Sequence, residues 1–316
     1  MERGGVGLVL ALLSAATFGT SGVFAISLLE EGWTAGSAVT VRVVVAALVL
    51  TVPALLVLRS RPGSLRRGSR SVVVYGLVAV AGCQVAFFQA VDHLSVGVAL
   101  LLEYSGALLV VLWLWVRHAH RPRRLTVAGA AGAVAGLVLV LDLAGDQRVD
   151  PVGVAWGLLA AVGLAVFFVL SAQSEDALPP LVVAWGGLAV GGLALLLTGA
   201  IGVLPLAAPR TDVVLLDTRV SWLVPVLGLS VMAAAFAYVA GILAARMLGA
   251  KVASFVGLTE VLFAVVFAWL ALGQSLSPVQ LAGAALVVAG IALVRVDELR
   301  EVPVAPHETV VAGTHR

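Results

Sequence analysis

Three charged side chains stand deep inside long apolar stretches of this chain: Arg42 in VRVVVAALVL, Glu103 in LLLEYSG and Glu260 in GLTEVLF. A charge near the middle of a hydrocarbon layer costs about 2.5–3.5 kcal/mol on insertion scales, so such a residue usually faces a cavity or a partner. A guanidinium there can hold a carboxylate of a substrate or of the protein. Two carboxyls can accept from an ammonium group or form a proton site. Snorkelling to the interface is the alternative for Arg42, and hydrogen bonding to neighbouring helices is the alternative for each Glu. Ser14, Thr17 and Ser21 recur at i, i+3 and i+7 and put three hydroxyls on one helical stripe, unless each bonds the backbone one turn back. Gln84, and Tyr104 beside Glu103, complete the set expected to bind substrate or couple its movement.

The elements that must position these groups are membrane helices. Of 316 residues, 61% are hydrophobic and 11% charged, and the mean hydropathy is +1.13; soluble chains carry roughly a quarter charged residues. Apolar runs near 6–29, 36–58, 71–91, 94–116, 125–143, 152–172, 180–204, 221–245, 251–271 and 278–295 each suit a hydrocarbon core of about 30 Å. The first is too long for a signal-peptide core and reads as a helix. Connections are short except for 205–220 and the tail after Arg295, so no soluble catalytic domain is expected.

Arg59, Arg61, Arg66, Arg67 and Arg70 follow the second run, Arg117, Arg121, Arg123 and Arg124 the fourth, and Arg246 and Lys251 flank the turn after the eighth. Basic loops stay in the cytoplasm, so even-numbered connections and both termini are expected there. The connection Ser174–Pro180 has Glu175 and Asp176 but no base, and acids weigh little in that rule. The Arg-rich, Ala-, Val-, Leu- and Gly-rich usage points to a GC-rich bacterium and its plasma membrane.

The chain repeats itself. A shift of 154 residues lays 89–137 over 243–291, GAAGAVAG at 129–136 falling on GAALVVAG at 283–290 and Trp115 on Trp269. Gly106 then stands opposite Glu260, and Glu103 opposite Gly257, one helical turn apart. Five helices per half is an odd number, so the second copy enters the membrane from the other side. The expected fold is all-α, ten transmembrane helices in two inverted five-helix repeats, 1–145 and 146–296, followed by a disordered cytoplasmic tail, 297–316. Inverted repeats are characteristic of secondary transporters.

Enzymatic readings fail on their missing partners. Gly19-Thr20-Ser21-Gly22 matches the GxSG of intramembrane serine proteases, but such a serine needs a histidine base. His118, His120, His307 and His315 fall in cytoplasmic loops or the tail, and His93 at the outer edge. Zinc-protease, Walker A and Cys/His metal spacings are absent, and the single Cys83 has no partner. No cofactor, metal or nucleic-acid partner is expected; the partners are lipids, a small-molecule substrate and protons. Trp113, Trp115, Trp156, Trp185 and Trp269 read as anchors or packing groups, and Gly129, Gly132 and Gly136 as a close helix contact.

Nearly the whole chain resembles the EamA-like drug/metabolite transporters. LLSAATFGTSGVF is similar to the family's first helix, VRVVVAALVL to its second, and LSVGVALLLEYSGALLVV to the fourth helix of the amino-acid exporter branch, which includes the threonine/homoserine exporter. The run from Gly257 to Val294 resembles the family's most recognisable stretch. Ala107 and Val261 replace prolines common in the family, and Gln274 replaces a glutamate. The resemblance implies export by alternating access, of amino acids or related metabolites first, and of hydrophobic cations or drugs second. Nucleotide sugars fit poorly with one Arg and two Glu, and a non-transporting scaffold would have no polar cavity.

Overall fold

The computed structural model describes residues 2–60, 64–94, 96–118, 122–141, 150–173, 178–272 and 277–300. Arg61, Arg121, Asp142, Asp146, Arg148, Glu175, Asp176, Gln274, His120, His307 and His315 lie outside them, as does the predicted tail from residue 301. The chain is an all-helical membrane protein. Eight described helices are long and apolar enough to cross a membrane, and two shorter apolar ones, Arg124–Val140 and Thr259–Ala271, lie among them.

In chain order, α1 is Glu2–Gly19 with Ser21–Leu29, α2 is Ala35–Arg59, and α3 runs through Ser64–Val74, the π-helical Tyr75–Gly82 and Cys83–His93. Next come α4 (Val96–Tyr104 and Gly106–His118), α5 (Arg124–Val140), α6 (Pro151–Ala172) and α7 (Pro180–Ala200). Helix α8 comprises Leu223–Leu227, the π-helical Gly228–Phe236 and the first part of Ala237–Gly257. Gly249, at φ 78° and ψ 161°, divides that last helix. The part after it, with Thr259–Leu272, is α9, and α10 is Pro278–Leu299.

Helix α2 shows how these sequences choose their faces. Val43, Ala46, Ala47, Leu50 and Ala54 recur at helical spacing and are buried, whereas Leu48, Val52 and Leu56 stand 66%, 66% and 57% exposed on the opposite face. In water that outer stripe would be a liability; against lipid it is the expected surface.

Three departures from the sequence expectation concern element ends. The arginine-bearing segment after α2 is not all loop, because Ser64–Val74 is already helical and begins α3. The stretch 205–220 carries a small antiparallel hairpin, β1 (Val213–Leu215) with β2 (Thr218–Val220). Its two-residue turn, Leu216 and Asp217, has both residues in the left-handed region; that matches the right-handed twist of the strands although neither residue is the usual choice. Finally, Asp297, Glu298 and Leu299 belong to α10 rather than to a tail. Asp297 is 2% exposed and accepts a hydrogen bond from the Thr126 hydroxyl of α5.

The internal repeat is visible as geometry. The π-helical segment of α3 and that of α8 coincide under the 154-residue shift to within one residue. So do the breaks in α4 and α9. The Ser105 hydroxyl donates to the Leu102 carbonyl at 2.6 Å and the Thr259 hydroxyl to the Val256 carbonyl at 2.7 Å, positions related by the same shift. A hydroxyl bonded back to its own helix competes with the regular ladder and bends it.

Helices α5 and α10 cross through glycines. A Cβ added at Gly129 would lie 2.6 Å from the Gly290 carbonyl oxygen, and one at Gly136 would lie 2.7 Å from that of Gly283. Gly290 is the repeat partner of Gly136, and Gly283 of Gly129. The contact is therefore self-complementary, as at a two-fold axis, and its antiparallel sense makes the halves inverted. They also interlock: α1 packs along α8, and its counterpart α6 packs along α3. Gly4 approaches Arg295, which puts the two described ends at one face.

Candidate functional site

At the level of the helix breaks the two halves leave a chamber of about 200 Å³, walled by α1, α2, α3, α4, α6, α8 and α9. Ser14, Ser21, Arg42, Gln84, Glu103, Tyr104 and Glu260 all line it. Seven side chains expected from the sequence thus meet in one place, drawn from five helices.

Each is held differently. The Ser14 hydroxyl donates to the Ala237 carbonyl of α8 at 2.8 Å, against Gly241, where a Cβ would approach it to 2.9 Å. Ser21 donates to the Phe18 carbonyl at 2.5 Å, and Arg42 reaches its oxygen through Nη1 at 3.4 Å. That contact is long for a hydrogen bond. Arg42 is 9% exposed, its Nε is buried without a partner, and it belongs to neither of the two ion pairs found among the described residues. Snorkelling to water is not what this guanidinium does; it stands in the chamber wall with donors to spare.

Glu103 and Glu260 sit at the breaks of α4 and α9. Glu103 accepts from the Cys83 thiol at 3.3 Å, and that sulfur is equally close to the Ala160 carbonyl. Tyr104, next along the chain, lines the chamber together with Glu260. Glu260 also falls in the first turn of the second segment of α9, where free backbone N–H groups favour an acid. Interrupted helices carrying polar groups into a chamber are the device by which membrane proteins expose backbone away from lipid.

Thr17 does not join the others. Its hydroxyl is spent on its own helix, lying 2.8 Å from the Leu13 carbonyl and 3.0 Å from that of Ser14. At 100° per residue it is displaced about 60° from Ser14, three times as far as Ser21, so it falls off the edge of the stripe.

Aromatic rings that the sequence reading did not single out complete the wall: Phe18, Phe87, Phe167 and Phe168. Phe167 meets Phe168 edge-on at 5.0 Å and Tyr238 at 5.6 Å, and Phe18 meets Tyr238 at 5.3 Å. The tryptophans stay outside; Trp113, Trp115 and Trp269 are 48%, 45% and 47% exposed on the outer surface, and Trp185 donates to Thr51 at 3.0 Å. Ser21, the match to a protease nucleophile, has an arginine and, among the described residues, no histidine beside it.

The profile of the EamA-like transporter family matches residues 5–142 and again 151–296. The chain belongs to that family. Two EamA domains agree with the two inverted halves, and this EamA-like transporter is a carrier rather than an enzyme. A solved structure described only as the crystal structure of a protein superposes with a TM-score of 0.75 at 18% identity, covering 93% of this chain and 99% of its own. That likeness is one of fold. None of the curated proteins compared matches the chain.

Proposed function

We propose that this EamA-like transporter is a secondary carrier that exports amino acids or related small metabolites across a bacterial plasma membrane by alternating access. In this reading residues 1–145 and 146–296 are the two repeats, and the arginine-rich connections and both termini are cytoplasmic. The chamber is then the substrate site, opened to one side at a time by rearrangement of the halves. The observation that carries the reading is the convergence of Arg42, Glu103 and Glu260 on one chamber. A zwitterion would place its carboxylate on the free donors of Arg42 and its ammonium between the carboxyls, one of which would also carry the coupling proton. The resemblance of 94–111 to the amino-acid exporter branch supports the same choice.

The four phenylalanines favour a second reading, efflux of hydrophobic cations, in which rings and carboxyls together hold the charge. Flux into proteoliposomes, measured across a panel of amino acids and lipophilic cations, separates the two. Amino-acid flux that Arg42→Gln abolishes supports the first; cation flux indifferent to Arg42 replaces it with the second. In either case Glu103→Gln or Glu260→Gln is expected to abolish the pH dependence of flux at unchanged expression. Full pH-dependent flux in both variants removes the carboxyls from the mechanism.

A further inference from the structure

Among the described residues there are two ion pairs, and they lie on opposite faces of the membrane domain, near but not at positions related by the repeat. Lys251 Nζ lies 2.5 Å from Glu298 Oε2, joining the start of α9, just past the Gly249 turn, to the end of α10. His93 Nδ1 lies 2.8 Å from Asp150 Oδ2, joining the end of α3 to the residue that caps α6. In the second half the corner between the third and fourth helices is thus tied to the end of the fifth, and in the first half to the residue that caps the helix after the fifth. The α8–α9 corner lies at the face of the termini, where Gly4 meets Arg295; the α3–α4 corner lies at the other.

We infer that these pairs are the two latches of the carrier, Lys251–Glu298 closing the chamber toward the face of the termini and His93–Asp150 closing it toward the opposite face. The inference rests on the alternating-access reading above. The corners they hold belong to α3, α4, α8 and α9, which supply Gln84, Glu103 and Glu260 to the chamber and contain the π-helical segments and the breaks. Irregular helix of that kind is where a helix pair can bend without losing its hydrogen bonds altogether. Both pairs are formed in this structure.

The two latches are not chemically alike. Lys251–Glu298 is the more sheltered, its side chains 15% and 29% exposed, and Asp297 anchors the same turn of α10 to Thr126. His93–Asp150 is 39% and 40% exposed and is an ion pair only when the imidazole is protonated. Asp150, held below its ordinary 3.8 chiefly by the Val152 N–H, supplies a permanent anion above that pH. Partly exposed pairs are weak locks, so each biases the population by several-fold and does not forbid opening.

The test reads access without needing a substrate. Ala15 lines the chamber, and Ala15→Cys is labelled with a membrane-impermeant maleimide in inside-out and right-side-out vesicles. The parent chain gives the background from buried Cys83. Lys251→Met is expected to raise the labelling rate about threefold or more from the face of the termini alone. Asp150→Ser keeps the helix cap but is too short for His93, and it is expected to raise labelling from the opposite face alone. The exchange of Lys251→Glu with Glu298→Lys is expected to return the first rate to that of Ala15→Cys. Labelling that rises equally from both faces, or that occurs but ignores both variants, overturns the latches and leaves the carrier reading standing. Absence of labelling from either face in every variant overturns both.

Discussion

At the scale of single residues the decisive feature is an arginine, Arg42, that joins neither of the ion pairs found among the described residues. Hydrogen bonds to a charged group are worth about 1.5–3 kcal/mol, so Arg42→Gln is expected to weaken binding of a carboxylate-bearing substrate by roughly 10- to 100-fold, read as a loss of ligand-induced thermal shift. Arg42→Lys should recover little of this, because one ammonium cannot replace the guanidinium fork. Thr17→Val is the internal control: its hydroxyl serves only its own helix, and flux should be unchanged. The charged members of the candidate site were legible in the sequence because a charge inside an apolar run calls for a cavity or a partner, and Arg42, Glu103 and Glu260 stand in such runs. The phenylalanines were not, since Phe in such a run reads the same whether it faces lipid, a neighbour or a cavity. Thr17 was over-read because three hydroxyls in loose register look like one stripe until the angle between them is counted.

At the scale of elements, the contact that should tolerate least is the crossing of α5 and α10. Gly136→Val would drive a side chain into the Gly283 carbonyl and the Val287 amide; overpacking of this sort costs about 1–3 kcal/mol. A lower melting temperature in detergent is expected for Gly136→Val, whereas Gly5→Ala, with nothing within 4 Å of the new carbon, should melt as the parent does. Hydropathy located the helices because lipid demands long apolar runs, and the spacing of Gly129, Gly132 and Gly136 marked a close helix contact without naming α10 as the partner. Hydropathy could not show the π-helical segments, the breaks at Ser105 and Leu258 or the turn at Gly249, because the apolar pattern runs through them unbroken. The hairpin was equally hidden: Leu216-Asp217 is not a turn signal, and its strands are three residues each.

At the scale of the whole molecule, both described ends share a face, and the hairpin segment covers the opposite one. There Thr34 donates to the Pro205 carbonyl at 2.7 Å, and Trp33 donates to that of Pro209 at the same distance. A reporter that fluoresces only in the cytoplasm, fused after Arg316, is expected to be bright, and a phosphatase active only outside the cytoplasm, inserted at Asp212, is expected to be active. The reverse pattern would turn the proposed orientation over.

The self-complementary crossing of α5 and α10 has an energetic corollary. Under the alternating access proposed above, if the two halves were identical in sequence, the conformer open to one side and the conformer open to the other would be the same shape turned over, and equally populated. Any resting preference of this molecule must therefore originate in positions where the copies have diverged, such as Lys251 facing Gly97 across the repeat. Making the copies more alike, one position at a time, would walk the protein toward parity between its two states.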